Sequence, residues 1–83
     1  MTFRFTRHAD EEMIRRGIPR RIVQDVLDGP EQVVPEREGK SAYQSVVNMS
    51  GKNFLVRVIV DDRTDPGVVI TVYRTSRIDK YRR

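Results

Sequence analysis

The sequence has 83 residues, with 16 lysines and arginines against 12 acidic residues, and it contains no cysteine. This length suffices for one domain with a single small core, so we expect one domain over residues 1–83. The missing cysteines exclude disulfides, thiolate metal sites and a cysteine nucleophile. No apolar run approaches the roughly 20 residues that cross a bilayer, and the start lacks the apolar segment of a signal peptide. The expected location is the prokaryotic cytoplasm, without a membrane partner.

The charges are distributed unevenly along the chain. Residues 1–21 carry six arginines against three acids, and residues 73–83 carry five basic residues against one acid. Residues 22–72, by contrast, carry five basic and eight acidic residues. If the two basic ends meet in space, they form a positive surface that attracts a polyanion such as RNA. The alternative is that the basic ends serve only solubility.

Two short helices are predicted near the start of the chain. Thr6 has the hydroxyl that caps a helix over residues 7–16, and Gly17 is suited to end it. Pro19 then opens a second helix that runs to Asp28. Its apolar stripe has helical spacing and comprises Ile22, Val23, Val26 and Leu27.

Four strands are predicted in the remainder of the chain. They cover residues 32–34, 41–49, 53–61 and 68–74. The short turns between consecutive strands favour antiparallel pairing, and residues 3–5 can add a short edge strand. The expected fold is therefore α+β, with two N-terminal helices packed on one face of a four-stranded antiparallel sheet.

The alternation of side chains along the last two strands predicts what each sheet face carries. The face toward the helices should hold Phe54, Val56, Val58 and Val60 from one strand, and Val68, Ile70 and Val72 from the next. Arg57, Thr71 and Tyr73 then share the opposite face, together with Gln44. An uncovered face of this composition could bind nucleic acid by stacking and by phosphate contact.

His8 is the single histidine, and it lies in the first turn of the first predicted helix. A neutral imidazole there could act as a general base, and Glu12, one helical turn later, could orient the ring. The alternative is a surface residue or a local helix cap.

The last strand and the tail supply the other candidate groups. Tyr73, Thr71 and Tyr81 are candidate general acids or stacking platforms, with a purely structural role as the alternative. The cations that could neutralise a phosphate are Arg74, Arg77 and Lys80, which as a solvated tail would look the same. Arg57 lies inside an apolar strand, where a charge must meet solvent, a binding partner or a cross-strand ion pair.

No cluster with metal-ligand spacing, no phosphate-binding glycine loop and no serine triad is evident, so we expect neither a metal nor a cofactor. RNA cleavage by the adjacent 2′-hydroxyl needs neither. His8 could serve as the base, and Tyr73 could serve as the acid. Positive charge could come from Arg57, Arg74 or Arg77.

Several motifs together resemble one small prokaryotic family. They are Phe5-Thr6-Arg7-His8-Ala9, Met13-Ile14-Arg15-Arg16-Gly17-Ile18, the segment from Val26 to Glu31, and Thr71-Val72-Tyr73-Arg74-Thr75-Ser76 with Lys80-Tyr81. The pattern is similar to the domain-of-unknown-function family four-two-five-eight, which is distantly similar to the RelE and BrnT toxins. The resemblance implies a RelE-like ribonuclease toxin with an antitoxin partner. The matching positions are His8, Arg16, Thr71, Tyr73 and Arg74.

Three interpretations stay open at this point. The first is a metal-independent endoribonuclease of the toxin type, inhibited by a small acidic or partly disordered antitoxin. The second is a non-catalytic module that binds RNA or a protein with the same face, with Arg16, Arg57, Arg77, Lys80 and Tyr81 as RNA contacts. The third is a structural adaptor. In each case Ile78 and Tyr81 should pack against the domain itself or against a second copy in a homodimer.

Overall fold

A computed structural model describes residues 2–83 of the chain. In chain order its elements are β1 (Phe3–Phe5), α1 (Arg7–Arg16), α2 (Arg20–Asp28), β2 (Gln32–Pro35), a 3-10 turn (Arg37–Gly39), β3 (Ser41–Met49), β4 (Lys52–Asp61), β5 (Gly67–Thr75) and α3 (Ile78–Tyr81). The predicted helices and strands are all present. The 3-10 turn and α3 were not predicted. No helix in the described part of the chain is long and apolar enough to cross a bilayer.

The sheet has five strands in the order β1-β5-β4-β3-β2. Strands β2 to β5 pair antiparallel, as expected from their short connections. Strand β1, however, pairs parallel with β5, so the prediction of a four-stranded antiparallel sheet was wrong in strand number and in type. A parallel neighbour requires a long crossover connection, and the two helices that follow β1 begin such a connection.

Thr6 connects the start of α1 to the sheet. Its Oγ1 accepts a hydrogen bond of 3.0 Å from the Ala9 backbone N–H and donates one of 3.1 Å to the Ile70 carbonyl. At the other end Gly17 has a φ of 64°, the left-handed conformation that ends a helix. The predicted bounds of α1 are therefore confirmed, and Pro19 lies just before α2 rather than in its first turn.

Helices α1 and α2 pack on one face of the sheet. The buried core residues there are Ala9, Met13, Ile18, Val23, Val26, Leu27, Met49, Val56, Val58, Val60, Val69 and Val72. Burial of the three valines of β4 confirms the predicted helix-facing side of that strand. Apolar burial of this kind contributes about 25 cal/mol for each Å² removed from water, and it is the main stabilising term.

The prediction for β5 was wrong over its first half. The pairing shifts between Ile59 and Val60, which lie opposite Thr71 and Val69, so Ile70 is an extra residue on β5. Such a bulge reverses the alternation of side chains on one side of it. Val69 is consequently fully buried, whereas Val68 and Ile70 are only partly buried.

The second face of the sheet is not uncovered, as the sequence had suggested. Residues along it such as Ala42, Leu55 and Arg57 are buried, with Arg57 only 3% exposed. The chain after β5 folds back over this face through α3, and the Tyr81 ring centroid lies 4.6 Å from the guanidinium carbon of Arg57. Arg57 was predicted to meet solvent, a binding partner or a cross-strand ion pair. This folding back buries it, and it forms an ion pair with Glu36, which lies in the loop after β2 rather than on a neighbouring strand.

Candidate nucleic-acid interface

A row of four polar side chains crosses the second face of the sheet, one from each of β2 to β5. Gln32 lies opposite Gln44, Gln44 opposite Arg57, and Arg57 opposite Tyr73. Directly paired residues share a face, so the register alone brings these side chains together. We call Gln32, Gln44, Arg57 and Tyr73 the polar row.

Hydrogen bonds join every member of the polar row to the next. Nε2 of Gln44 donates to Oε1 of Gln32 at 2.9 Å, and Nε of Arg57 donates to Oε1 of Gln44 at 2.7 Å. The Arg57 guanidinium also donates to the Tyr73 hydroxyl. Glu36, in the loop after β2, accepts from the remaining terminal nitrogen of Arg57 at 2.7 Å.

This arrangement offsets the cost of burying Arg57. A guanidinium loses several kcal/mol of hydration when it is buried, and it persists only where a charge partner and hydrogen bonds replace the water. Glu36 supplies the charge, while Gln44 and Tyr73 supply neutral acceptors. Within residues 2–83, no buried side-chain nitrogen or oxygen lacks a hydrogen-bond partner. The Arg57 guanidinium therefore uses its charge and its hydrogen bonds within the folded protein.

The C-terminal segment closes over the polar row. The Tyr81 carbonyl accepts a hydrogen bond of 3.2 Å from Gln44, and the Arg83 backbone N–H donates one of 3.0 Å to Gln32. The Tyr81 ring meets the Tyr73 ring edge to face, with centroids 6.4 Å apart. Ile78 and Tyr81 were predicted to pack against the domain itself or a second copy, and Tyr81 here packs against the domain.

The C-terminal end of α1 also contacts Tyr73 on β5. The guanidinium carbon of Arg16 lies 6.0 Å from the Tyr73 ring centroid. Glu12 accepts hydrogen bonds from Arg15 and from Arg16, and it is largely buried by them. The bond from Arg15 is the main cause that lowers the pKa of Glu12 to about 2. Arg16 of the basic N-terminal segment thus contacts Tyr73 of the basic C-terminal segment, which is the condition under which the two ends would form one positive surface.

Together these contacts form a surface of two tyrosines edged by cations, which we call the tyrosine platform: Arg16, Tyr73, Lys80 and Tyr81. The Lys80 ammonium lies 5.3 Å from the Tyr81 ring centroid, and both rings are partly exposed. Arg77, next to α3, is exposed close by in the chain. Aromatic faces accept nucleic-acid bases and the cations can pair with phosphates, so this surface has the chemistry of a single-strand binding site.

The structure does not join His8 to this platform. His8 is exposed in the first turn of α1, and no hydrogen bond within residues 2–83 involves its ring. Glu12 uses its oxygens for Arg15 and Arg16 instead of orienting the imidazole. Arg16 lies eight positions after His8 on the helix, which corresponds to a rise of about 12 Å. Thr71 is partly buried on β5, opposite Ile59.

Arg74 lies on the opposite face of β5 from Tyr73, because neighbouring strand residues point to opposite faces. Its guanidinium carbon lies 4.5 Å from the Phe54 ring centroid, and one terminal nitrogen lies 3.6 Å from Sδ of Met49. The Lys52 ammonium lies 5.5 Å from the same ring. Lys52 was not predicted to be a functional residue, and Phe54 was predicted only on the core side of its strand.

Two members of the buried network, Gln32 and Glu36, were also missed. Gln32, like Gln44, is a long polar residue within an otherwise apolar strand, and that anomaly was a usable signal for buried hydrogen bonding. Glu36 lies in a loop between the strands and has no local feature that links it to Arg57. Its contact depends on a loop conformation rather than on strand register.

A separate groove of about 680 Å³ lies between the outer sides of α1 and α2. Its apolar lining includes Met13, Ile18 and Ile14, and Ile14 is 82% exposed. Exposure of this extent is unusual for isoleucine, which is most often buried. The groove does not include any residue of the tyrosine platform or of the polar row.

The sequence matches one described protein family. No curated protein and no solved structure is significantly similar to this chain. The expected likeness to RelE and BrnT toxins accordingly stays a prediction. The family described as a domain of unknown function (DUF4258) matches residues 5–74, which include α1, the polar row and the start of the basic C-terminal segment. Since the match covers most of the sequence, this chain belongs to the DUF4258 family.

Proposed function

We propose that this protein binds single-stranded RNA at the tyrosine platform, within the prokaryotic cytoplasm. The contact of Arg16 with the Tyr73 ring carries this proposal, because it joins the basic start and the basic end of the chain into one surface. An aromatic ring provides a stacking surface for any base, and neighbouring guanidinium or ammonium groups pair with the backbone.

The fixed position of Tyr73 supports the same conclusion. The Arg57 guanidinium binds its hydroxyl from below, and the Tyr81 ring packs against its side. A ring held by both contacts loses little conformational freedom when a base stacks on it, which favours binding. In this proposal Arg57 supports the platform and does not itself contact phosphate.

Binding can be tested by fluorescence anisotropy with a labelled single-stranded RNA. Tyr81→Leu should weaken binding at least about fivefold, since stacking is worth about 1 to 3 kcal/mol per base. Arg16→Gln should weaken binding and reduce the dependence of affinity on salt. Arg21→Gln is the matched control, since Arg21 is exposed on α2. Equal affinity of wild type and Tyr81→Leu would exclude the platform as the binding site.

RNA cleavage is the second candidate function, and the bond from Arg57 to the Tyr73 hydroxyl favours it. In this scheme the 2′-hydroxyl attacks the adjacent phosphorus, and the bond to the 5′-oxygen breaks, giving a cyclic phosphate. Tyr73 protonates the leaving 5′-oxygen, and water takes the proton of the 2′-hydroxyl, because His8 lies outside the tyrosine platform, about 12 Å along α1 from Arg16. The positive charge of Arg16 near the Tyr73 ring would stabilise the charge on the phosphoryl oxygens.

Cleavage has its own test, with purified protein and total cellular RNA and without added metal. The ribonuclease proposal expects discrete products from wild type and none from Tyr73→Phe, while His8→Ala, which alters a residue outside the platform, should cleave as wild type does. RNA affinity should persist in both variants. If wild type leaves RNA intact both with and without ribosomes, the catalytic function is excluded and the binding function is still supported.

A toxin of this kind would need an antitoxin, and the groove beside Ile14 offers an apolar surface for a protein partner. The expected partner is small and acidic, which suits the five arginines and three acidic residues between positions 7 and 21. Ile14→Asp should prevent neutralisation by that partner without changing RNA cleavage. If the partner still inhibits the Ile14→Asp variant, the antitoxin binds at a surface other than this groove.

A further inference from the structure

A second group of cations lies at the same end of the sheet but on the helix-facing side. Lys52 begins β4, Phe54 follows two residues later, and Arg74 lies near the end of β5. Both cations lie against the Phe54 ring, at 5.5 Å for the Lys52 nitrogen and 4.5 Å for the Arg74 guanidinium carbon. We call Lys52, Phe54 and Arg74 the basic corner.

The two cations of the basic corner are not neutralised by a carboxylate within the described residues. No acidic group lies within ion-pair distance of Lys52 or Arg74 in the described chain. In the same chain, Arg16, Arg20 and Arg57 each pair with a carboxylate. Within residues 2–83, the Arg74 guanidinium makes one polar contact, the weak one to the sulfur of Met49. Two neighbouring cations therefore retain their full capacity to bind an anion.

We propose that the basic corner is a second binding site for the phosphates of the same RNA strand, an inference that rests on the proposed RNA-binding function. Tyr73 and Arg74 are consecutive residues that point to opposite faces of β5. A strand that stacks on the tyrosine platform can therefore pass over the end of β5 to reach Lys52 and Arg74. The site recognises phosphodiester oxygens and not bases, so it contributes affinity without sequence preference.

Phe54 acts in this site as a positioning residue. Its ring is already in contact with both cations, and the attraction between a cation and an aromatic face is worth about 0.5 to 1 kcal/mol at exposed sites. The ring thus holds two flexible side chains near one another before RNA arrives. Because this reduces the entropy lost on binding, it should improve affinity without direct contact between Phe54 and RNA.

The test measures RNA affinity by anisotropy between about 50 and 200 mM salt, where each phosphate contact of a single strand contributes a slope of about 0.7. The double variant Lys52→Gln with Arg74→Gln should reduce the slope by about 1.4, from two lost contacts. It should weaken binding equally for RNAs of different sequence. Circular dichroism and urea unfolding establish that the variant remains folded.

A matched control removes the same charges at the other end of the sheet. Lys40 and Arg37 lie beside Ser41, which pairs with Val60 near the end of β4. That end is about 30 Å from Lys52 along the strand. The double variant Lys40→Gln with Arg37→Gln should leave the slope near the wild-type value. An equal reduction in both double variants would mean a general charge effect and would overturn the proposed site.

Phe54 is tested by two substitutions. Phe54→Leu keeps an apolar side chain but removes the aromatic face, and it should weaken RNA binding severalfold. Phe54→Tyr keeps the aromatic face and should bind RNA with wild-type affinity. If Phe54 had a purely structural role, an aromatic face would not be needed for RNA affinity. Weak binding by both variants, or wild-type binding by Phe54→Leu, would overturn the positioning role.

The outcomes also separate this inference from the function on which it rests. If wild type binds no RNA, the proposed function fails. A different result would refute only the basic corner. In that case wild type binds RNA and Arg16→Gln weakens the binding, but the double variant of Lys52 and Arg74 binds RNA as wild type does.

Discussion

Nε of Arg57 donates a hydrogen bond of 2.7 Å to Oε1 of Gln44, its neighbour across the β3–β4 pair. This bond lies at the centre of the polar row, which continues to Gln32 on one side and to Tyr73 on the other. Such a network gives stability only while every member keeps its partner, since an unpaired buried polar group is costly. Arg57 makes three side-chain hydrogen bonds within this network, to Gln44, Tyr73 and Glu36.

Arg57→Met should lower the free energy of unfolding by about 3 kcal/mol, because loss of one partner from a buried ion pair leaves the others unsatisfied. Urea denaturation measures this change. Arg63→Met is the matched control, because Arg63 is 60% exposed in its pair with Asp61 and should contribute at most about 1 kcal/mol. Equal losses in the two variants would contradict a special structural role for Arg57.

Thr6→Ala should lower the free energy of unfolding by about 1 to 2 kcal/mol, because it removes a helix cap and a bond to the sheet together. The affected contacts are those of Oγ1 with the Ala9 N–H and with the Ile70 carbonyl. Thr6→Ser keeps the hydroxyl and should retain most of the stability. A Thr6→Ser variant as unstable as Thr6→Ala would assign the effect to the lost methyl group.

Gly17→Ala should destabilise the protein by about 1 kcal/mol, because alanine is strained in the left-handed conformation that ends α1. A Cβ at this position would meet no atom within 4 Å, so the loss would come from the backbone alone. Gly29 is the control, since it also has space around it and has a negative φ of −151° instead of a left-handed one. Gly29→Ala should change the midpoint of thermal unfolding much less.

Glu12 should make stability depend on acid pH. Its pKa is lowered in the folded protein from 4.5 to about 2, first through the bond from Arg15 and then through Arg16, while burial acts in the opposite direction. A lowered pKa means that the contribution is fully present above about pH 4.5 and is lost as the pH falls toward 2.

Urea unfolding between neutral pH and about pH 2 tests this expectation through the variant Glu12→Gln, which should lose less stability on acidification than wild type. Asp61 should account for part of the remaining dependence, because Arg63 holds its pKa low as well. Glu11→Gln removes an exposed carboxylate from the same helix and serves as the control. Identical acid profiles for wild type and Glu12→Gln would contradict the assignment.

Much of the fold could be predicted from local sequence. Thr6 and Gly17 gave the bounds of α1, since capping depends on side chains and backbone conformations within one turn. The alternation of apolar residues placed β4 and its buried valines correctly. The candidate site could be predicted in part, because the basic charge near both ends of the chain indicated that Arg16 and the segment from Tyr73 to Tyr81 could share a surface.

The tertiary structure decided the features that depend on residues far apart in the chain. The parallel pairing of β1, the bulge at Ile70 and the burial of Arg57 have no local signal. Gln32 meets Arg83 across 51 positions, and that return of the tail turns a predicted open face into a covered one. The sequence by itself thus determined which elements form and which residue types are available. Packing between distant segments decided that Arg57 supports the tyrosine platform from within the fold, while Lys52 and Arg74 remain accessible to an anion.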